Sequence, residues 1–133
     1  MNNLAQHAHW LLRIGFASVF LFHGFEKFPQ ISGMAQMLGL PEFVMWLVAL
    51  SEVAAGGLVL IGGFTHDLLT RLGGLAAIPV MLGAIVRVHW GRWSFTPTET
   101  HPMGGMEFQV VLLLIGLYFL LRGNGSGSTT ANA

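Results

Sequence analysis

Residues 10–28 read WLLRIGFASVFLFHGFEKF, an apolar run that closes on a histidine, a glutamate and a lysine. A bilayer core takes about 20 apolar residues in helical form, so the stretch reads as a membrane-crossing helix with a polar mouth. It has no Lys or Arg before Arg13, and no small-residue cleavage site follows it, so it is expected to be a retained span and not a signal peptide. Arg13, Phe16, Phe20, His23 and Lys27 recur at three- and four-residue spacing and form one stripe, with two aromatic rings between its charged ends.

Three further stretches have comparable length and character: Phe43 to Phe64, Leu68 to His89 and Met106 to Leu121. The expected fold is therefore an all-α membrane protein, a four-transmembrane-helix up-down bundle. Between the first two spans, PQISGMAQMLGLPE is too short to cross, yet Ile31, Met34, Met37 and Leu38 fall at helical spacing, which predicts a short interfacial helix. Residues 1–122 make one transmembrane domain. The tail from 123 to 133, GNGSGSTTANA, lacks large apolar residues and is expected to be disordered. Trp10, Trp46, Trp90 and Trp93 fall at span ends, where indole rings favour the headgroup region.

Composition agrees. Of 133 residues, 53% are hydrophobic and 9% charged, against roughly a quarter charged in a soluble domain. Six basic residues balance six acidic ones, so there is no electrostatic footprint for nucleic acid. The lipid bilayer is the expected partner. Cysteine is absent, which removes disulfides, thiol relays and Cys-ligated zinc or iron–sulfur centres. Basic residues do not settle orientation, because Arg13, Arg71 and Arg122 on one side balance Lys27, Arg87 and Arg92 on the other.

Laid antiparallel, the helices bring their remaining charges to one end: His23, Glu26 and Lys27, then Arg87 and His89, then Glu107. Glu52 lies about 15 Å into the second span at 1.5 Å per residue. It shares a face with Ala49, Gly56 and Gly63, small residues that admit a neighbouring backbone or a ligand. The third helix is expected to face inward along Gly73, Ala76, Val80, Gly83 and Arg87, and the fourth along Gly104, Glu107, Val111, Leu114 and Tyr118. A carboxylate facing lipid costs about 2.5–3.5 kcal/mol at a helix centre, so Glu52 and Glu107 need partners. A network of Glu52, Arg13, Arg87, Glu107 and Lys27 would balance the charge. Such a network either lines a ligand or proton site or only fixes helix register.

His23 and His89 raise the question of haem or metal, and HPMGGM, with His101, Met103 and Met106, that of copper. Two histidines do not make a metal site, and Pro102 with Gly104 and Gly105 is more economically a turn into a helix. No metal or haem site is assigned, and no cofactor is intrinsic to the chain.

HGFEKF closing the first span, SEVAAGGLVLIGGFT in the second and RVHW followed by GGMEF at the fourth together resemble the DoxX family, from about Trp10 to Leu121. The resemblance implies a small four-helix bacterial membrane protein, multi-pass in the inner membrane, with the polar end outside the cytoplasm. It carries the family's polar positions onto Arg13, His23, Gly24, Lys27, Glu52, Gly56, Gly57, His89 and Glu107. Arg87 and the HPM segment have no place in that pattern. The family name derives from a relative of a subunit of thiosulfate:quinone oxidoreductase, so the resemblance implies a quinone as ligand and a redox partner protein.

The expectation is a membrane subunit of an oxidoreductase system that binds a quinone-like or small anionic substrate. Phe16 and Phe20 would pack the ring, and His23, Lys27, Glu52, Arg87, His89, Glu107 and Arg13 would serve its polar atoms. The alternative is a non-enzymatic anchor or assembly partner, or, as a homo-oligomer, a small-solute pathway.

Overall fold

The computed structural model describes residues 2–125 and contains no strand among them. A short α1 (Asn2–His7) leads into α2 (His9–Lys27), which tightens into a 3₁₀ turn at Phe28–Gln30. There follow α3 (Ile31–Leu38), α4 (Glu42–Phe64), α5 (Asp67–Ala84) with a π-helical turn at Ile85–His89, and α6 (Glu107–Arg122). Two of these, Glu42–Phe64 and Asp67–His89, are long and apolar enough to cross a membrane. α2 has 19 residues but carries Arg13, Glu26 and Lys27, and α6 has 16.

Local chemistry sets the boundaries. α3 stops at Gly39, whose φ of 63° is left-handed. Gly39 N–H bonds the carbonyl of Gln36 and Leu40 N–H that of Ala35, which satisfies the helix's last acceptors. Pro41 then opens α4 in extended conformation, and Glu42 places a negative charge in its positive first turn. Pro79 inside α5 has no N–H to give, and the π turn downstream re-aims the helix end so that Ile85 and His89 are buried while Arg87 is exposed.

The long helices pack antiparallel in chain order, and glycines mark where they touch. A side chain at Gly24 would strike Glu52 and Val53, and one at Gly56 would strike Leu21 and Ala17, which seats α2 on α4. Gly62 lies against Thr70 and Gly73 against Val59 and Ala55, joining α4 to α5. Gly74 abuts the backbone of Gly116 and Leu120, joining α5 to α6. α6 meets α2 chiefly through side chains, with the rings of Phe16 and Phe119 edge to face at 5.4 Å. The core between them holds Phe16, Phe20, Val59, Val80, Leu112 and Phe119. α3 folds back on α4, burying Ile31 and Ala35 against Met45 and Ala49.

Two expectations are corrected. On α6 the inward face is Leu112, Gly116 and Phe119, whereas Val111, Leu114 and Tyr118 are 49%, 59% and 37% exposed. The helix is apolar all round, so no polar stripe marks its outside, and the close approach at Gly116 sets its rotation instead. On α5 the buried line runs through Thr70, Gly73, Gly74, Ala77, Val80 and Met81, and Gly83 and Arg87 fall outside it. Within the stretch from 123 to 133, Asn124 is hydrogen-bonded to Arg13, Asp67 and Gly62. The rest of it, residues 126–133, lies outside the described residues.

Candidate functional site

The HGFEKF end of α2, α3, the first half of α4, the π turn and the start of α6 surround a cavity of about 1080 Å³. Its walls are mainly apolar, with Phe20, Met45, Val80 and Leu112 deep and Met34 and Met37 contributed by α3. A large apolar cavity with a few converging polar groups is the usual form of a small-molecule site.

Lys27 Nζ lies 2.7 Å from Glu52 Oε2, and the two side chains are 15% and 6% exposed. The two charges form a buried ion pair that joins α2 to α4. Nζ also donates to the His23 carbonyl at 3.2 Å, which ties the lysine to its own helix. The pair forms because Gly24 lets α2 come directly against the Val53 backbone and the Glu52 Cβ. His23 stands at the mouth, half exposed, with Nδ1 3.7 Å from Glu26 Oε2.

On the facing wall His89 is buried, its Nδ1 3.0 Å from the Gly104 carbonyl and its Nε2 3.0 Å from Gln109 Nε2. Gly104 itself has no alternative. Its φ is +78°, and a Cβ there would collide with the Phe95 carbonyl. The loop from Gly91 to Met106 is pinned on itself by Gly105 N–H to Ser94 O and Met106 N–H to Arg92 O, so the carbonyl that orients His89 is held in place.

The structure thus brings His23, Lys27, Glu52, Arg87, His89 and Phe20 around one cavity. Arg87 lines it while donating to the Leu38 carbonyl at 3.1 Å, and has no carboxylate partner among the described residues. The expected five-membered charge network reduces to Lys27 and Glu52. Arg13 belongs elsewhere, because it shares a stripe with Lys27 but stands about 21 Å away along α2 at 1.5 Å per residue. Fully buried, it donates to Val59 O, Thr70 Oγ1 (2.9 Å), Asn124 Oδ1 (2.8 Å) and His9 Nδ1 (3.0 Å), and lies over the Phe119 ring at 5.2 Å. Glu107 accepts from Phe95 N–H at 2.9 Å at the start of α6, where the helix dipole favours a carboxylate. Phe16 packs below Phe20 in the core and not on the cavity wall.

Gln109 escaped the reading of the sequence. Its signal is there, since it is the one amide in EFQVVLLLIGLYFLLR. His101 turns to the Trp90 carbonyl at 3.0 Å and to Thr100, and no group of three or more His, Asp or Glu able to hold a metal occurs among the described residues.

A family model described as DoxX matches residues 8–90, from the start of α2 through the π turn. The chain belongs to the DoxX family. It is a membrane protein by that membership and by its apolar helices. It is also similar to a Bacillus subtilis (strain 168) protein named "Putative oxidoreductase CatD", with 31% identity over 127 residues, which cover 93% of this chain and 85% of that protein. No solved structure matches it. The DoxX match includes His23, Lys27, Glu52, Arg87 and His89, while Gln109 and Glu107 lie beyond it.

Proposed function

We propose that this DoxX protein is a membrane subunit of an oxidoreductase system and holds a quinone-like ring in the cavity at the HGFEKF end. The observation that carries the reading is a buried Lys27–Glu52 ion pair in the wall of an apolar cavity of about 1080 Å³. A pair serving only to fix helix register gains nothing from a cavity beside it, whereas a site for a ring with polar oxygens needs both. The name of the Bacillus subtilis relative supports the redox class. With no cysteine in the chain, the electrons would pass to or from the ligand and a redox partner protein.

In this reading α2, α4, α5 and α6 are four spans of an up-down bundle in a bacterial inner membrane. α3 lies along the interface on the cavity side, outside the cytoplasm. Phe20 packs the ring, Lys27 and Arg87 face its oxygens from the mouth, and His23 exchanges protons with water there. A second copy of the chain is not needed to complete the cavity, although the exposed apolar helix faces leave room for a homo-oligomer.

The test is binding of a short-tailed benzoquinone to the purified full chain in lipid nanodiscs, followed by quenching of the tryptophans. Saturable binding that is lost in Phe20→Ala and Lys27→Met variants of unchanged fold supports the site. Binding indifferent to both variants leaves the protein an anchor or assembly partner.

A further inference from the structure

α3 forms one wall of the cavity through Met34, Met37 and Leu38, and little holds that wall in place. Of its eight residues only Ile31 and Ala35 are buried, against Met45 and Ala49 of α4. The chain departs from right-handed helical geometry at both ends, at Gln30 with φ −122° and ψ 11° and at Gly39 with its left-handed φ of 63°. A segment with so few buried apolar contacts is among the first to open.

One side chain reaches α3 from the far wall. A helix ends in carbonyls that have no partner within it. Here the N–H groups of Leu40 and Gly39 take those of Ala35 and Gln36, and Arg87 Nη2, from the π turn, donates to that of Leu38 at 3.1 Å. The cation also meets the negative end of the helix dipole. Arg71 caps α6 in the same manner at the opposite end of the bundle, but it is fixed there, since it pairs with Asp67 and donates to the carbonyls of Leu120, Leu121 and Arg122. Arg87 is exposed, has no carboxylate partner among the described residues and gives α3 a single hydrogen bond. That bond can be made and broken without disturbing the bundle.

We propose that α3 is a lid on the cavity, hinged at Gln30 and Gly39 and latched by Arg87. The lid stands on these contacts alone; that it admits and retains a ring ligand rests on the site proposed above. Only Nη2 serves the latch, so the other N–H groups of Arg87 are free to face a ligand oxygen, and filling the cavity and closing it use one guanidinium.

The test needs no ligand. The chain has no cysteine, so a single Ala35→Cys variant of the full chain in nanodiscs reports, by its rate of reaction with N-ethylmaleimide, how often the contact between α3 and α4 parts. Ala35 is 2% exposed and lies off the cavity lining, so the reagent has to wait for an opening. Removing the latch with Arg87→Leu should raise the rate about tenfold, the effect of one hydrogen bond to a charged group. Gly74→Ala, whose added methyl meets only α6, should change it less than twofold. A rate unmoved by Arg87→Leu overturns the latch, and no reaction in the absence of denaturant overturns the lid. Acceleration by Gly74→Ala equal to that by Arg87→Leu means exposure through general unfolding and overturns the lid as well. Should a variant fail to fold, Ile31→Cys replaces Ala35→Cys and Arg87→Gln replaces Arg87→Leu. Each of these failures leaves the ring site to its own binding test.

Discussion

Lys27 on α2 and Glu52 on α4 hold opposite charges 2.7 Å apart in a setting where neither is more than 15% exposed. Removing one partner strands the other, a loss of about 3–5 kcal/mol for a buried pair. Glu52→Gln should therefore lower stability in detergent markedly, whereas Glu99→Gln in the exposed loop should stay within about 0.5 kcal/mol. Replacing both partners together, as Lys27→Met with Glu52→Leu, should recover much of the loss. Thermal unfolding of the four proteins checks this, and equal melting of the two glutamate variants would show that the pair does not hold the helices.

The seam between α5 and α6 rests on backbone contact at Gly74. A methyl group there meets Gly116 O and Leu120 N, which cannot swing aside, so Gly74→Ala should cost about 1–3 kcal/mol through separation of the helices. Gly57→Ala meets nothing within 4 Å and should be neutral or slightly stabilising, since alanine is the better helix former. Chemical unfolding of the pair isolates packing from propensity.

Asn124 joins the far end. Its side chain accepts from Arg13 and Thr70 and donates to Gly62 O, while its N–H reaches Asp67. Asn124→Ala leaves those groups short of partners and should cost about 1–3 kcal/mol. Benzoquinone affinity of the folded variant should be unchanged, because Arg13 stands about 21 Å from Lys27 along its helix. A change in affinity without a change in stability would join the two ends functionally.

Single cysteines at Gly33 and Glu99 should react with an impermeant reagent from the same side of the membrane, because α3 and the 91–106 loop both belong to the cavity end. Labelling from opposite compartments would contradict four spans.

His23→Asn keeps a polar side chain but cannot titrate near neutrality. With His23 half exposed and its ring nitrogen 3.7 Å from Glu26, the variant should melt like the parent and lose the pH dependence of ligand binding. Unchanged pH dependence in a well-folded variant would remove His23 from the site.

Much of this arrangement is legible in the chain. Glu52 announced itself as an acid in a run of small apolar residues, and Lys27 as one of three cations, with Arg13 and Arg87, able to balance it. α6 was not legible in the same way. A helix that is apolar all round carries no record of which side faces in, and Gly116 acts only once Gly74 is placed opposite it. His89 could be singled out by type, but its polarity depends on a carbonyl 15 positions later, presented by a loop whose shape turns on Gly104. Arg13 misled because it shares a stripe with Lys27, although its place near the start of the helix already sets it at the opposite end.

The side-chain seam between α2 and α6 has a consequence for how a ligand would be supplied. Where these helices border the cavity its lining includes the partly exposed Val19 of α2 and the exposed Phe108 of α6, and rotamer changes of exposed side chains take picoseconds to nanoseconds. Interlocked backbones, as at Gly74, offer no such give. A greasy ligand of the proposed kind, dissolved in the bilayer, would find there a route to the cavity that does not cross water. Its occupancy would then follow its mole fraction in the lipid, so that lengthening an alkyl tail would raise apparent affinity through partitioning alone, without adding a single contact to the protein.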